Sequence, residues 1–179
     1  MIKMKKMKNG KIVTCLLTAF ILTIIMPGCG GSESKTAEES DLEPRNLSEF
    51  TWLLETYRNG VLANRNGEKL RTQIITFSRA EENRAYFCTT TNKPMYTQLV
   101  AFPYVSYCAY PEDWEPVLSL NGKVVFVEDR ETKERVLESN YYAKNNFGSV
   151  DNPLLAVFYI DVEEIETYST EGAFVYAAK

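Results

Sequence analysis

The run RAYFCTTTNKPMYTQLVAFPYV, residues 84–105, changes its hydrophobic period partway along. Arg84 to Thr89 is aromatic and strand-like. Thr89-Thr90-Thr91-Asn92-Lys93-Pro94 breaks that pattern, and behind it Met95, Leu99 and Phe102 fall at helical spacing. Pro94 suits a first helical turn, since its missing N–H has no partner there anyway, and Pro103 closes the helix. Tyr104 to Tyr110 then reads as the next strand. A short helix is therefore inserted between two strands, and its polar entrance is the most informative junction in the chain.

Working outward, Asn46-Leu47-Ser48-Glu49 followed by Phe50, Leu53, Leu54 and Tyr57 predicts an amphipathic helix that stops at Asn59-Gly60. Val61-Leu62-Ala63 meets Asn66-Gly67, a dipeptide that tolerates the positive φ of a type I′ hairpin turn, before a strand over Lys69 to Phe77. A polar bend is expected from Ser78 to Asn83. Downstream, Trp114 to Val127 reads as a long strand with a bulge or bend at Asn121-Gly122. Arg130 to Ser139 predicts a short exposed helix with Val136 and Leu137 on one side, and Leu154 to Val162 and Ile165 to Ser169 are the last strands. About six strands around an inserted helix point to a mainly β (α+β) fold, a small antiparallel barrel with short flanking helices.

The chain has 179 residues, 20 Lys+Arg, 24 Asp+Glu and no His. Without imidazole there is no Ser-His-Asp or Cys-His relay and no His-bound zinc or haem, so any demanding chemistry would come from a bound cofactor. Lys3, Lys5, Lys6, Lys8 and Lys11 all precede residue 28, which leaves the remainder near −9. An acidic body repels phosphate polymers, so no nucleic-acid partner is expected.

The basic start leads into the apolar run IVTCLLTAFILTIIM, residues 12–26, and then Met26-Pro27-Gly28-Cys29. This is the layout of an export signal; a signal-anchor helix is the alternative, although the run is short of the ~20 residues a bilayer span needs. Gly28-Cys29 resembles the lipobox of bacterial lipoproteins. That resemblance implies a signal peptide over residues 1–28, cleavage before Cys29, and a diacylglycerol on its thiol. Such a chain would be membrane-anchored on the extracytoplasmic side. Residues 29–46, nearly free of large apolar side chains, read as a flexible tether spanning roughly 20 to 25 Å. The folded domain is placed at 47–179. Cys88 and Cys108 lie in apolar strand patterns and read as buried thiols, with a disulfide as the alternative.

At the junction, three hydroxyls, an amide and an ammonium precede a helix N-terminus, where free N–H groups and the dipole favour an anion. Thr89, Thr91, Asn92 and Lys93 are thus candidates for holding phosphate, with Arg71 able to add a bidentate grip. The competing reading is a capped helix with a polar loop. Acidic runs at Glu128, Asp129 and Glu131 and at Glu163, Glu164 and Glu166 lack the spaced oxygens of a calcium loop and read as solvated faces. Trp114 and the tyrosines could stack on a flat ring or fill a dimer seam.

Tyr86-Phe87-Cys88-Thr89, the helix ending Gln98-Leu99-Val100-Ala101-Phe102-Pro103-Tyr104-Val105, Trp114, Leu118-Ser119-Leu120-Asn121-Gly122-Lys123-Val124 and Asp151-Asn152-Pro153-Leu154-Leu155-Ala156-Val157-Phe158-Tyr159 occur in an order that resembles the pyridoxamine 5′-phosphate oxidase-like family. The resemblance covers about residues 48–172. It implies a six-stranded antiparallel split β-barrel that binds FMN, works as a homodimer with a flavin at each end of the interface, and acts on a small molecule. Arg71 matches the family's phosphate-binding Arg, and the isoalloxazine would lie against Thr72 and Gln73. Thr76 stands where the family has a strand Lys, and Lys93-Pro94-Met95 stands for its Ser-Arg-Lys; the shorter subgroup also carries Lys at the position of Lys93. A net loss of two charge-assisted bonds weakens flavin binding by a hundredfold or more at roughly 1.5 to 3 kcal/mol each. Thr167 to Lys179 has no counterpart of the C-terminal Arg and Trp segment that completes the vitamin site, which argues against pyridoxamine phosphate as substrate. The expectation is an anchored FMN-dependent oxidoreductase, the alternative a non-catalytic binding module or an interaction domain working through its acidic face.

Overall fold

The inner faces of six strands converge on Phe87, whose ring stacks on Phe158 at 5.5 Å and meets Phe77 edge-on at 6.1 Å and Tyr107 at 4.9 Å. The computed structural model describes residues 42–179 except Trp114, all within one structural unit. The expected signal peptide, Cys29, most of the tether and Trp114 lie outside the described residues. In chain order the elements are β1 (Glu43–Arg45), a 3-10 turn (Leu47–Glu49), α1 (Thr51–Tyr57), β2 (Asn59–Asn66), β3 (Lys69–Glu81), β4 (Arg84–Thr90), α2 (Pro94–Ala101), β5 (Tyr104–Ala109), β6 (Val117–Phe126), α3 (Arg130–Glu138), α4 (Tyr141–Phe147), β7 (Leu155–Ser169) and β8 (Gly172–Ala178).

The sheet order β7-β4-β3-β2-β5-β6 closes on itself because β6 pairs back on β7, giving a six-stranded antiparallel barrel. β7 is long enough to serve three partners. One edge carries β6 from Phe158 to Tyr168, while the other carries β4 from Leu155 to Asp161 and then β8 from Glu164 to Ser169. β1 adds a short parallel pairing to β8. It lies in the segment expected as tether, and Arg45 is held there between the rings of Phe50 and Tyr176, 5.9 and 5.2 Å from their centroids.

Several elements differ from the expectation. The helical start at Asn46 is a 3-10 turn closed by a full capping box, with Ser48 N–H donating to Asn46 and Asn46 N–H to Glu49, before α1 proper begins. The β2–β3 loop is Gly67-Glu68, one residue later than Asn66-Gly67, and only Gly67, at φ 64°, is left-handed. β3 does not bend at Ser78: it absorbs Ser78 as a bulge between the pairs Phe77–Phe87 and Arg79–Tyr86 and runs on to Glu81. The two expected C-terminal strands are one, β7, and α4 and β8 were not anticipated. The bulge near Asn121-Gly122 is present, with its extra residue, Glu163, on the opposing strand.

Two clusters hold the fold. The barrel interior contains Leu62, Phe77, Phe87, Tyr107, Leu120 and Phe158, joined by Leu53 and Leu54 of α1 and Met95 and Leu99 of α2. On the outer side of β4 and β7, Tyr86, Leu155 and Val157 pack under Val136, Leu137 and Ala143 of α3 and α4. Each large apolar side chain so covered contributes about 1.5 to 3 kcal/mol. The helical lid is further tied down by Asn140, whose carbonyl oxygen caps α4 at Ala143 N–H (2.9 Å) and whose amide donates to the bulge residue Ser78 at 2.9 Å.

At the β6–β7 bulge the backbones approach so closely that a Cβ on Gly122 would lie 2.1 Å from the Asp161 carbonyl oxygen. Gly122→Ala must push the strands apart and should lower the unfolding free energy by about 1 to 3 kcal/mol, read as a drop in urea midpoint. An unchanged midpoint would show that the register at Gly122 is wrong.

Candidate functional site

β3 pairs with β2 along the whole of Asn59–Asn66, but with β4 only from Phe77 to Glu81. Ahead of Phe77 the two strands splay, leaving the facing edges of Ile74–Thr76 and Cys88–Thr90 without each other as ladder partners. A cleft of about 360 Å³ occupies this gap, within the size range of small-ligand sites. Its third wall is α4, through Tyr142, Ala143, Asn146 and Phe147.

Lys93 is the only charged residue lining the cleft among the described residues, and it makes no ion pair there. It sits at the N-cap of α2, followed by Pro94 in the first helical position. Beside it Thr89 is 3% exposed, and its hydroxyl oxygen has no hydrogen-bond partner. A buried hydroxyl without a partner costs about 1 to 3 kcal/mol, and together with the unpaired ammonium on the same cleft it marks a wall suited to an anionic group. Thr76 lines the opposite wall, but its hydroxyl already donates to Asn59 at 2.7 Å.

Of the residues expected at a phosphate site, the structure brings Thr89 and Lys93 to the cleft. Thr91 and Asn92 lie on the loop above it and are occupied: Thr91 N–H donates to Leu154 O (2.9 Å) and its hydroxyl to Pro153 O (3.4 Å), while Asn92 accepts from the Thr90 hydroxyl. Arg71, Thr72 and Gln73 do not line the cleft but continue along the same β3 edge toward the hairpin. Arg71 and Thr72 are exposed there. Gln73 turns inward, donating to Asn64 at 3.0 Å, and Asn64 in turn donates to Gln98 of α2 at 2.9 Å. That amide chain leaves the Gln73 side chain committed to closing the barrel.

Cys88 and Cys108 are both free thiols. Cys88 forms part of the cleft lining, and burial pushes its thiol up to about 12, against a smaller opposing pull from Ser78. It is therefore a neutral, unreactive group at neutral pH. Inside the barrel, burial likewise raises Tyr107, whose hydroxyl has no partner.

No protein-family model and no curated protein matches the chain. Solved structures do. A NimC/NimA family protein from Clostridium acetobutylicum matches at 23% identity and TM-score 0.64, over 72% of this chain and 92% of its own. A pyridoxamine 5′-phosphate oxidase-related, FMN-binding protein from Nostoc punctiforme matches at 14% and 0.58, over 74% and 90%. A haem-binding protein from Mycobacterium smegmatis matches at 14% and 0.60, over 70% and 55%. The fold is a split barrel. In this split barrel α4, missed in the sequence, forms a whole wall of the cleft; its signals were the cap residue Asn140 and the stop at Gly148, left-handed at φ 73°.

Thr89→Val removes the orphan hydroxyl while keeping its shape. The ligand-free variant should be as stable as the parent or more stable, by up to about 1 to 3 kcal/mol in urea unfolding. A clear loss of stability would mean that the hydroxyl has a partner.

Proposed function

We propose that the chain is a membrane-anchored, extracytoplasmic flavoprotein that binds FMN in the β3–β4 cleft and exchanges electrons with a small molecule. The observation that carries this reading is that one strand gap is lined both by Thr89, whose buried hydroxyl has no partner, and by Lys93, whose ammonium makes no ion pair. The FMN-binding protein of the same fold supports it. The cleft fits the group in chemistry: Thr89 and Lys93 would hold the phosphate, and the unpaired edge of β3 at Ile74 and Thr76 offers backbone donors and acceptors to a polar ring edge. FMN would supply hydride or single-electron transfer.

The chain's own residues bind and shield. Tyr142 and Phe147 give the cleft an aromatic side against which a flat ring would pack. Since the sequence has no imidazole, a proton reaches the ring from water, a tyrosine or a lysine. The outer face of β3 presents Leu70 and Ile74 to solvent, with Ile74 82% exposed. Such a pair beside the cleft favours a homodimer in which the second copy covers the flavin. The anchor rests on the sequence alone, through the apolar run and Cys29.

A second reading, a split-barrel binding module without FMN, is favoured by a specific feature: a single cation faces a ligand whose phosphate is doubly charged. Full-length protein purified from the membrane fraction separates the two by its visible absorbance, flavin bands supporting the first and a haem Soret band or a colourless chain the second. Titrating apo-protein with FMN, Lys93→Gln should weaken binding roughly 10- to 100-fold, the equivalent of one charge-assisted hydrogen bond, and Lys93→Glu should abolish it. Unchanged affinity in both would remove Lys93 from the phosphate site.

A further inference from the structure

The cleft does not end at Thr76. Thr76, Asn140 and Tyr142 also line an adjoining compartment of about 390 Å³, whose other walls include Arg58, Ser139 and Tyr141. Arg58 terminates α1 at φ 58°, ψ −49°, a positive-φ position where Gly would cost less. Its backbone is pinned there, the carbonyl accepting from Phe77 N–H at 2.6 Å. A long cationic side chain thus stands where the backbone favours glycine. Its guanidinium reaches only the Ser139 carbonyl, at 3.4 Å, and has no carboxylate partner among the described residues. The one acidic side chain lining the compartment, Glu138, is engaged by Lys144.

The same compartment is lined by two neighbouring aromatic rings left in solvent, Tyr141 at 73% and Tyr142 at 65% exposure, set edge to face at 5.7 Å. An unpaired, planar cation beside open aromatic faces is suited to a flat ring bearing an anion: the guanidinium takes the charge by two parallel hydrogen bonds, and tyrosine takes the ring by stacking.

We infer that this compartment binds a small aromatic carboxylate, with its carboxylate on Arg58 and its ring against Tyr142. Naming this ligand the substrate of the flavin site rests on the FMN reading above, together with the walls Thr76, Asn140 and Tyr142 that the two compartments share. The binding itself does not depend on that reading.

The test titrates 4-hydroxybenzoate and its neutral amide into the full chain by calorimetry, with and without FMN. The carboxylate should bind at least tenfold tighter than the amide. Arg58→Gln should erase that preference, Arg58→Lys should restore part of it, and FMN affinity should be unaffected by either. Equal binding of the two probes, no binding of either, or a preference that survives Arg58→Gln would overturn the inference. Should Arg58→Gln not fold, the comparison of the two probes on the unaltered chain decides alone, joined by Tyr142→Leu, which should weaken both probes together. A carboxylate preference in a chain that takes no FMN keeps this site and removes the flavin reading; FMN binding with no preference does the reverse.

Discussion

β3 cannot satisfy both of its neighbours along its full length. It stays with β2 through eight consecutive pairs and meets β4 only from Phe77 onward. The extra residue Ser78 sits just past the point of divergence, where a bulge increases twist and redirects the strand. Ahead of it two backbone edges face each other without pairing, which no folded protein leaves uncovered at no cost. The cleft follows from this divergence, and the elements around it are arranged to make the gap tolerable.

α3 and α4 do most of the covering. They bury Val136, Leu137 and Ala143 against the outer side of β4 and β7, so that β4 is covered on both faces while its edge toward β3 stays open from Cys88 to Thr90. Asn140 joins helix and strand by capping α4 and bonding Ser78, which couples the cleft wall to the bulge that opens the cleft. Electrostatics then select the kind of ligand. In a chain with more acids than bases, the cleft is lined by one lysine and no carboxylate among the described residues, and the polar atom buried beside that lysine has no internal partner. Such a pocket attracts an anion and repels little that is neutral.

Much of this was legible from residue pattern. The period change at Thr89 to Pro94 located the inserted helix and its entrance, and Thr89 and Lys93 are where the cleft is. The bulge near Gly122 was legible because a glycine interrupts an apolar alternation. What escaped has physical causes. α4 is short and polar outside, its only buried side chain being Ala143, so periodicity is too weak to announce it. β7 looked like two strands because Glu163 and Glu164 interrupt its apolar pattern at a bulge. The divergence of β3 from β4 leaves no local mark at all: Ile74, Ile75 and Thr76 have the same strand character whether or not a neighbour pairs with them. Thr72 and Gln73 were expected at the site through the family resemblance, and Arg71 through it and its bidentate reach; this cleft lies a few residues further along, and the Gln73 amide bonds to Asn64.

The two unpaired strand edges are the proposed seat of the cofactor. Amide hydrogen exchange on the full chain, with and without saturating FMN, addresses it directly. The expected result is fast exchange at Ile74, Thr76, Cys88 and Thr90, whose N–H groups face the gap, in the free protein and marked slowing at these four once FMN is added. FMN binding that leaves these amides exchanging as before, or that protects another face of the barrel, would contradict it.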